Sequence, residues 1–144
     1  MSNSFTANNT RWREALSALL GRLSDVDMAR AAGGAGWTIG GLLGHLAFWD
    51  QRALTLLDKW ASTAMAASPV DIDVVNEAMR PFLNAIPPGA IRKLATEMAA
   101  AIDASIDALA PEFLAKVETE GKPVRLDRGA HREHHIAQIK KALG

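Results

Sequence analysis

The stretch WTIGGLLGHLAFWDQRALTLLDKW, residues 37–60, decides the fold, because its apolar side chains recur at three- and four-residue steps. Ile39, Leu42, Leu43, Leu46, Trp49, Ala53, Leu56, Leu57 and Trp60 form one stripe, which predicts a helix of several turns ending at about Ala64. Thr38 is a good N-cap, and Trp37 sits at the offset from Leu42 that a hydrophobic staple requires. Gly40, Gly41 and Gly44 weaken helix propensity near the start, so they are expected to admit a closely packed neighbour.

Working outward toward the N-terminus, Ser24 to Gly36 holds Asp25, Asp27, Gly33, Gly34 and Gly36 and predicts turns or a short helical turn. Before it, Trp12, Leu16, Leu19, Leu20 and Leu23 predict a first amphipathic helix from Asn9 or Thr10 onward. Toward the C-terminus, Ser68-Pro69 breaks the pattern, and Asp71 or Asp73 is placed to cap a shorter segment carrying Val74, Val75, Ala78, Met79, Phe82 and Leu83. Pro81 is expected to kink or stop that segment. Pro87-Pro88-Gly89 opens a third long stripe of Ile91, Leu94, Met98, Ile102, Ile106 and Leu109, which Pro111 ends. Lys116 to Leu126, with Gly121 and Pro123, shows no helical period and predicts a long connection with a little extended structure. A last helix follows from about Asp127 to Leu143. Four long amphipathic segments, without an alternating strand or an internal repeat, predict an all-α four-helix bundle with short extra helical turns in the connections. At 144 residues and 49% hydrophobic, the chain is expected to form one domain, 1–144, around one core.

Composition narrows function. A formal net charge of zero leaves no excess of Lys or Arg for phosphates or anionic lipid, which argues against nucleic-acid and membrane partners. The absence of cysteine excludes disulfides, thiolate ligands and a protein-borne cysteine nucleophile. Met1 to Asn9 lacks the character of a signal peptide, and no apolar run reaches the ~20 residues that span a bilayer. The expectation is a cytoplasmic protein.

All four histidines fall in two of the predicted helices: His45 in the second, and His131, His134 and His135 in the fourth. At about 100° per residue, His131 and His135 project from one face one turn apart and can chelate a single ion, whereas His134 flanks them. His45 lies on the flank of its apolar stripe with Leu42, Trp49 and Leu56, so it can face the fourth helix. A lone histidine on such a flank is ordinarily a hydrogen-bonded core residue, and that alternative stands beside the ligand role. Three neutral imidazoles suit a divalent transition metal, with Zn, Ni or Fe expected, and leave a coordination position open as catalytic sites do. Asp127 is placed to cap the last helix or to orient a histidine, Trp49 to line the pocket, and Gln138 and His134 to stand around the ligands. Asp50 falls on the apolar face, so either Arg11, Arg13 or a Trp N–H is expected to satisfy it or it has a functional role.

Two segments carry a resemblance. Gly36-Trp37-Thr38-Ile39 leading into Leu43-Gly44-His45-Leu46-Ala47-Phe48-Trp49-Asp50 is similar to the helix that bears the first metal histidine in the DinB/YfiT-like superfamily of metal-binding four-helix bundles. His131-Arg132-Glu133-His134-His135-Ile136-Ala137-Gln138-Ile139 is similar to that superfamily's HxxxHxxQI-like segment, and Asp73-Val74-Val75-Asn76-Glu77 resembles its connecting segment. The resemblance implies metal ligation by His45, His131 and His135, a homodimer, and, in some members, group transfer to or from low-molecular-weight thiols such as bacillithiol or mycothiol. It strengthens the ligand role of His45 most. Two function classes follow: a metal-dependent hydrolase or thiol S-transferase acting on a small molecule, and a noncatalytic metal- or small-ligand-binding stress-response protein. No general acid or base is forced toward the histidines by spacing.

Overall fold

The computed structural model describes residues 3–121 and 124–144. Among these, α1 (Thr6–Arg22), α3 (Ile39–Ser62), α5 (Pro88–Asp107) and α7 (Arg128–Leu143) are the long helices, with α2 (Asp25–Met28), α4 (Ile72–Asn84) and α6 (Pro111–Glu120) in the connections. α3 packs along α5 and α1 along α7, while contacts of α1 with α5 and of α3 with α7 close the ring of four. The all-helical bundle is the architecture that the periodicity predicts.

Capping explains several boundaries. Thr38 Oγ1 accepts from the Gly41 N–H at 2.9 Å, Asp71 caps α4, and Asp127 caps α7 by accepting from the Ala130 N–H at 3.0 Å. Ser24 and Asp27 form a reciprocal capping box around α2. The following loop turns back through positive φ at Gly33, Gly34, Ala35 and Gly36, and Ala31 and Thr38 pair in an isolated antiparallel bridge.

Three boundaries differ from the sequence expectation. α1 starts at Thr6, before Asn9, because Asn3 and Thr6 bond to each other and the Thr6 hydroxyl donates to Asp107 at 2.7 Å, a tertiary contact that no periodicity records. Pro81 does not stop α4, which runs to Asn84; Pro81 and Glu77 both lie on the exposed side, where a carbonyl left without its N–H partner can be hydrated. Pro111 does end α5's extension, but it also opens α6, so residues 116–120 are helical instead of a loose connection; Phe113 and Leu114 pack against the apolar cluster that holds Trp60 and the fully buried Val117. Lys122 and Pro123 of that expected connection, and Met1 and Ser2 of the N-terminal reading, lie outside the described residues. The stripe of α4 is mostly exposed, with Phe82 at 76%, and Leu83 is its buried residue among those described.

The core has two apolar clusters. One joins Leu16, Leu19, Leu43, Leu46, Ile91, Ala99, Ile136 and Ile139; the other joins Ala53, Leu57, Trp60, Ile102, Ile106, Val117 and Leu126. Between them lies a layer of buried charge. Arg132, fully buried, donates through both Nη atoms to Asp103 at 2.9 Å each, and reaches Asp50 at 3.4 Å. Arg128 Nε donates to Asp50 at 2.8 Å and Arg13 Nη1 to Asp103 at 2.6 Å. Asp50 is therefore satisfied by Arg128 and Arg132 of α7, and neither by Arg11 or Arg13 nor by a tryptophan. Buried Asn9 ties α1 to the start of α7, donating to the Leu126 carbonyl and accepting from the Gly129 N–H.

The glycines near the start of α3 do admit close neighbours. A Cβ on Gly44 would stand 3.0 Å from Ile91 Cδ1, and one on Gly41 would overlap Asn84 Oδ1, the acceptor for Thr38 N–H and Oγ1 at 3.1 Å each. Gly41→Ala is therefore expected to lower stability by about 1–3 kcal/mol, the cost of overpacking, despite the ~1 kcal/mol helix propensity it gains. Urea denaturation checks this, and a stabilised variant would show that Asn84 moves aside freely.

Candidate metal centre

α3 and α7 converge at the histidines. His131 Nε2 lies 3.1 Å from His45 Nε2 and 3.2 Å from His135 Nε2, and one ring nitrogen from each of the three falls within 4.8 Å of the others. A single ring nitrogen carries one proton or one lone pair, so His131 Nε2 cannot make an ordinary N–H···N bond of the same kind to both neighbours. Tetrahedral coordination at Zn–N distances of ~2.0–2.1 Å would separate two donors by about 3.3 Å, close to both contacts. The three nitrogens thus fit a shared cation better than they fit one another.

The surroundings favour neutral imidazoles. Burial, then the neighbouring His135 and His134, pushes His45 down to about 4; burial, then His135 and Arg128, pushes His131 down to about 2. His135 is also lowered by burial, with Gln138 opposing that shift. Gln138 Oε1 stands 2.6 Å from His135 Nδ1 and, as an acceptor, fixes the tautomer that leaves the Nε2 lone pair toward the other histidines. Trp37 and Trp49 meet His45 edge-on at centroid distances of 5.5 and 6.4 Å, and the Trp49 indole N–H donates to Asn76 Oδ1 at 2.9 Å. His45 Nδ1 is buried without a hydrogen-bond partner, in contrast to His135.

Two cavities flank the cluster. The larger, of about 440 Å³, is bordered by His45, His131, His134, Trp49, Asn76 and three arginines, Arg52, Arg125 and Arg128. The smaller, of about 280 Å³, is bordered by all four histidines, Trp37 and Gln138. Each sequence-predicted residue can be placed. His45, His131 and His135 converge; His134 is an exposed pocket residue stacked edge-on against His135; Trp49 lines the larger cavity; and Gln138 holds His135. Asp127 touches no ligand nitrogen; it caps α7 and accepts from Asn8 Nδ2 at 2.8 Å. Sequence reasoning missed Arg52, Asn76, Arg125 and Arg128. Arg128 had a signal, because it lies three residues before His131, close to the ligand face of the same helix.

Among the described residues, no helix is long and apolar enough to cross a membrane. No curated protein and no solved structure matches the chain significantly. The mycothiol maleylpyruvate isomerase N-terminal domain does match, over residues 10–134, a span that includes His45 and His131 and stops just before His135. With an all-helical bundle and converging histidines, the chain belongs to the family of the mycothiol maleylpyruvate isomerase N-terminal domain, a helical domain of the DinB/YfiT-like superfamily.

Proposed function

We propose that this protein is a metal-dependent enzyme acting on a small molecule, most simply an S-transferase that uses a low-molecular-weight thiol, with His45, His131 and His135 holding the ion. The observation that carries the reading is the convergence of three buried-to-half-buried imidazole nitrogens beside a 440 Å³ cavity. A divalent transition metal bound there would supply Lewis acidity and lower the pKa of a coordinated thiol. His45 and His131, held neutral by burial, offer lone pairs at neutral pH without first losing protons. Gln138 keeps the proton of His135 on Nδ1, and Trp37 and Trp49 shield His45 from water. A thiol reaction is preferred to hydrolysis because, among the described residues, Asp127 is the one carboxylate bordering the larger cavity, and it is engaged as a cap. The description of the matching family names mycothiol, a low-molecular-weight thiol, which supports the thiol part of this reading.

Loading the protein with Co(II) and titrating it with N-acetylcysteine tests this. A sulfur-to-cobalt charge-transfer band is expected on thiol addition, and Gln138→Ala is expected to weaken metal binding by about 10–100-fold. A cobalt spectrum that ignores thiols would leave the noncatalytic metal-binding reading in its place.

A further inference from the structure

The charges around the larger cavity do not balance. Arg13, Arg132 and Arg128 share two carboxylates, Asp103 and Asp50, so the connected pairs carry one uncompensated positive charge. Arg13, a third exposed, can be solvated at one end of this chain. Arg128, at the other end, is buried and borders the cavity. Its Nε donates to Asp50 and its Nη1 to the Arg125 carbonyl, while its Nη2 is buried with no acceptor. Arg52 and Arg125 border the same cavity, and Arg52 engages Ser68 through Nη2 alone. Against these three guanidiniums stands Asp127, whose Oδ1 already accepts from Asn8 and from the Ala130 N–H. Three arginines bordering one cavity raise a positive potential there, and a buried cationic donor without an acceptor adds to that unbalanced charge.

We infer that the cavity binds the oxyanion group of a small-molecule ligand, a carboxylate or a phosphate, through Arg52, Arg125 and Arg128, beside the three histidines. The inference rests on the small-molecule site proposed above, but it does not require a bound metal. Asn76 and Trp49, joined by their hydrogen bond, border the same cavity, and the Arg52 guanidinium lies over the Trp49 ring at 5.6 Å from its centroid.

Calorimetric titration of metal-free protein with succinate, inorganic phosphate and neutral succinamide is the test, repeated on an Arg52→Gln/Arg125→Gln double variant. Both positions are at least partly exposed, so the variant is expected to melt as the parent does. At least one anion should bind and succinamide should not, and the double variant should weaken that binding by about tenfold or more. The tighter anion identifies the group. Equal binding of succinamide, unchanged binding by the double variant, or no binding of either anion at millimolar concentration overturns the inference. Zinc separates this inference from the metal reading. Anion binding by a protein that takes up no zinc keeps the arginine subsite and removes the metal. Binding that demands zinc and ignores the double variant does the reverse.

Discussion

Arg132→Ala is expected to destabilise the metal-free protein by about 3–5 kcal/mol, the usual consequence of removing one partner from a buried ion pair. Arg132 is fully buried, holds both oxygens of Asp103, reaches Asp50 and donates to the Asn9 carbonyl. Its loss leaves two carboxylates between two apolar clusters with only Arg13 and Arg128 to answer them. Domains are stable by only about 5–15 kcal/mol, so the variant sits near the edge of folding at 37 °C. Arg13→Ala is the control: its side chain is a third exposed, and the loss should be about 1 kcal/mol or less. Urea denaturation of the two variants reads the difference directly. If Arg132→Ala unfolds at the parent's midpoint, the charged layer contributes nothing.

The second large effect falls on metal affinity. His131 is the middle donor, 3.1 Å from one neighbour and 3.2 Å from the other, so His131→Ala should reduce the bound metal of the purified protein to background while leaving the helical spectrum unchanged. His134→Ala, at an exposed position outside the converging set, should keep the parent's metal content. Acid gives an independent check. In the folded, metal-free protein His45 and His131 are lowered to about 4 and about 2, so protons compete with the metal only as pH approaches those values. The same shifts act on stability. The unfolded chain takes up protons on these histidines below pH ~6.5 while the folded one does not, so metal-free stability should fall as pH drops from there through about 4. Equal metal content in the parent and His131→Ala would remove the site altogether.

Much of this was legible in the sequence, and for identifiable reasons. His131 and His135 share a helix, so their common face follows from helical geometry alone, and Gln138, three residues beyond His135, follows from the same spacing. Spacing alone places His45 on the flank of an apolar stripe, since the fold brings its partners from far along the chain, and its ligand role is legible through the resemblance of residues 36–50 to the superfamily's first-histidine helix. The partner of Asp50 is none of the candidates Arg11, Arg13 or a Trp N–H, because a stripe shows that a residue is buried and not which helix covers it. α1 contributes Arg13 to Asp103 of α5, and α7 contributes both partners of Asp50. A signal for the charged layer was nonetheless present: Asp103 stands among Ala99, Ile102 and Ile106, and Arg132 among Gly129, Ile136 and Ile139, each at core spacing. α6 was overlooked because its stripe of Phe113, Leu114 and Val117 is only about one turn long and is flanked by Pro111 and Gly121.

The charged layer has a bearing on the precision of the histidine cluster. Asp50 follows His45 on α3 by little more than one turn, and its partners Arg128 and Arg132 bracket His131 on α7. Sliding α7 along α3 by one residue is a displacement of about 1.5 Å, enough to spoil any shared coordination of the ring nitrogens. Apolar contacts are non-directional, whereas the ion pairs are not, so such a slip would also part Asp50 from its guanidinium partners. The vertical register of the two helices is thus keyed electrostatically, a turn away from the ligands. Donor side chains at positions 45, 131 and 135 can then be exchanged while the backbone that aims them stays where it is.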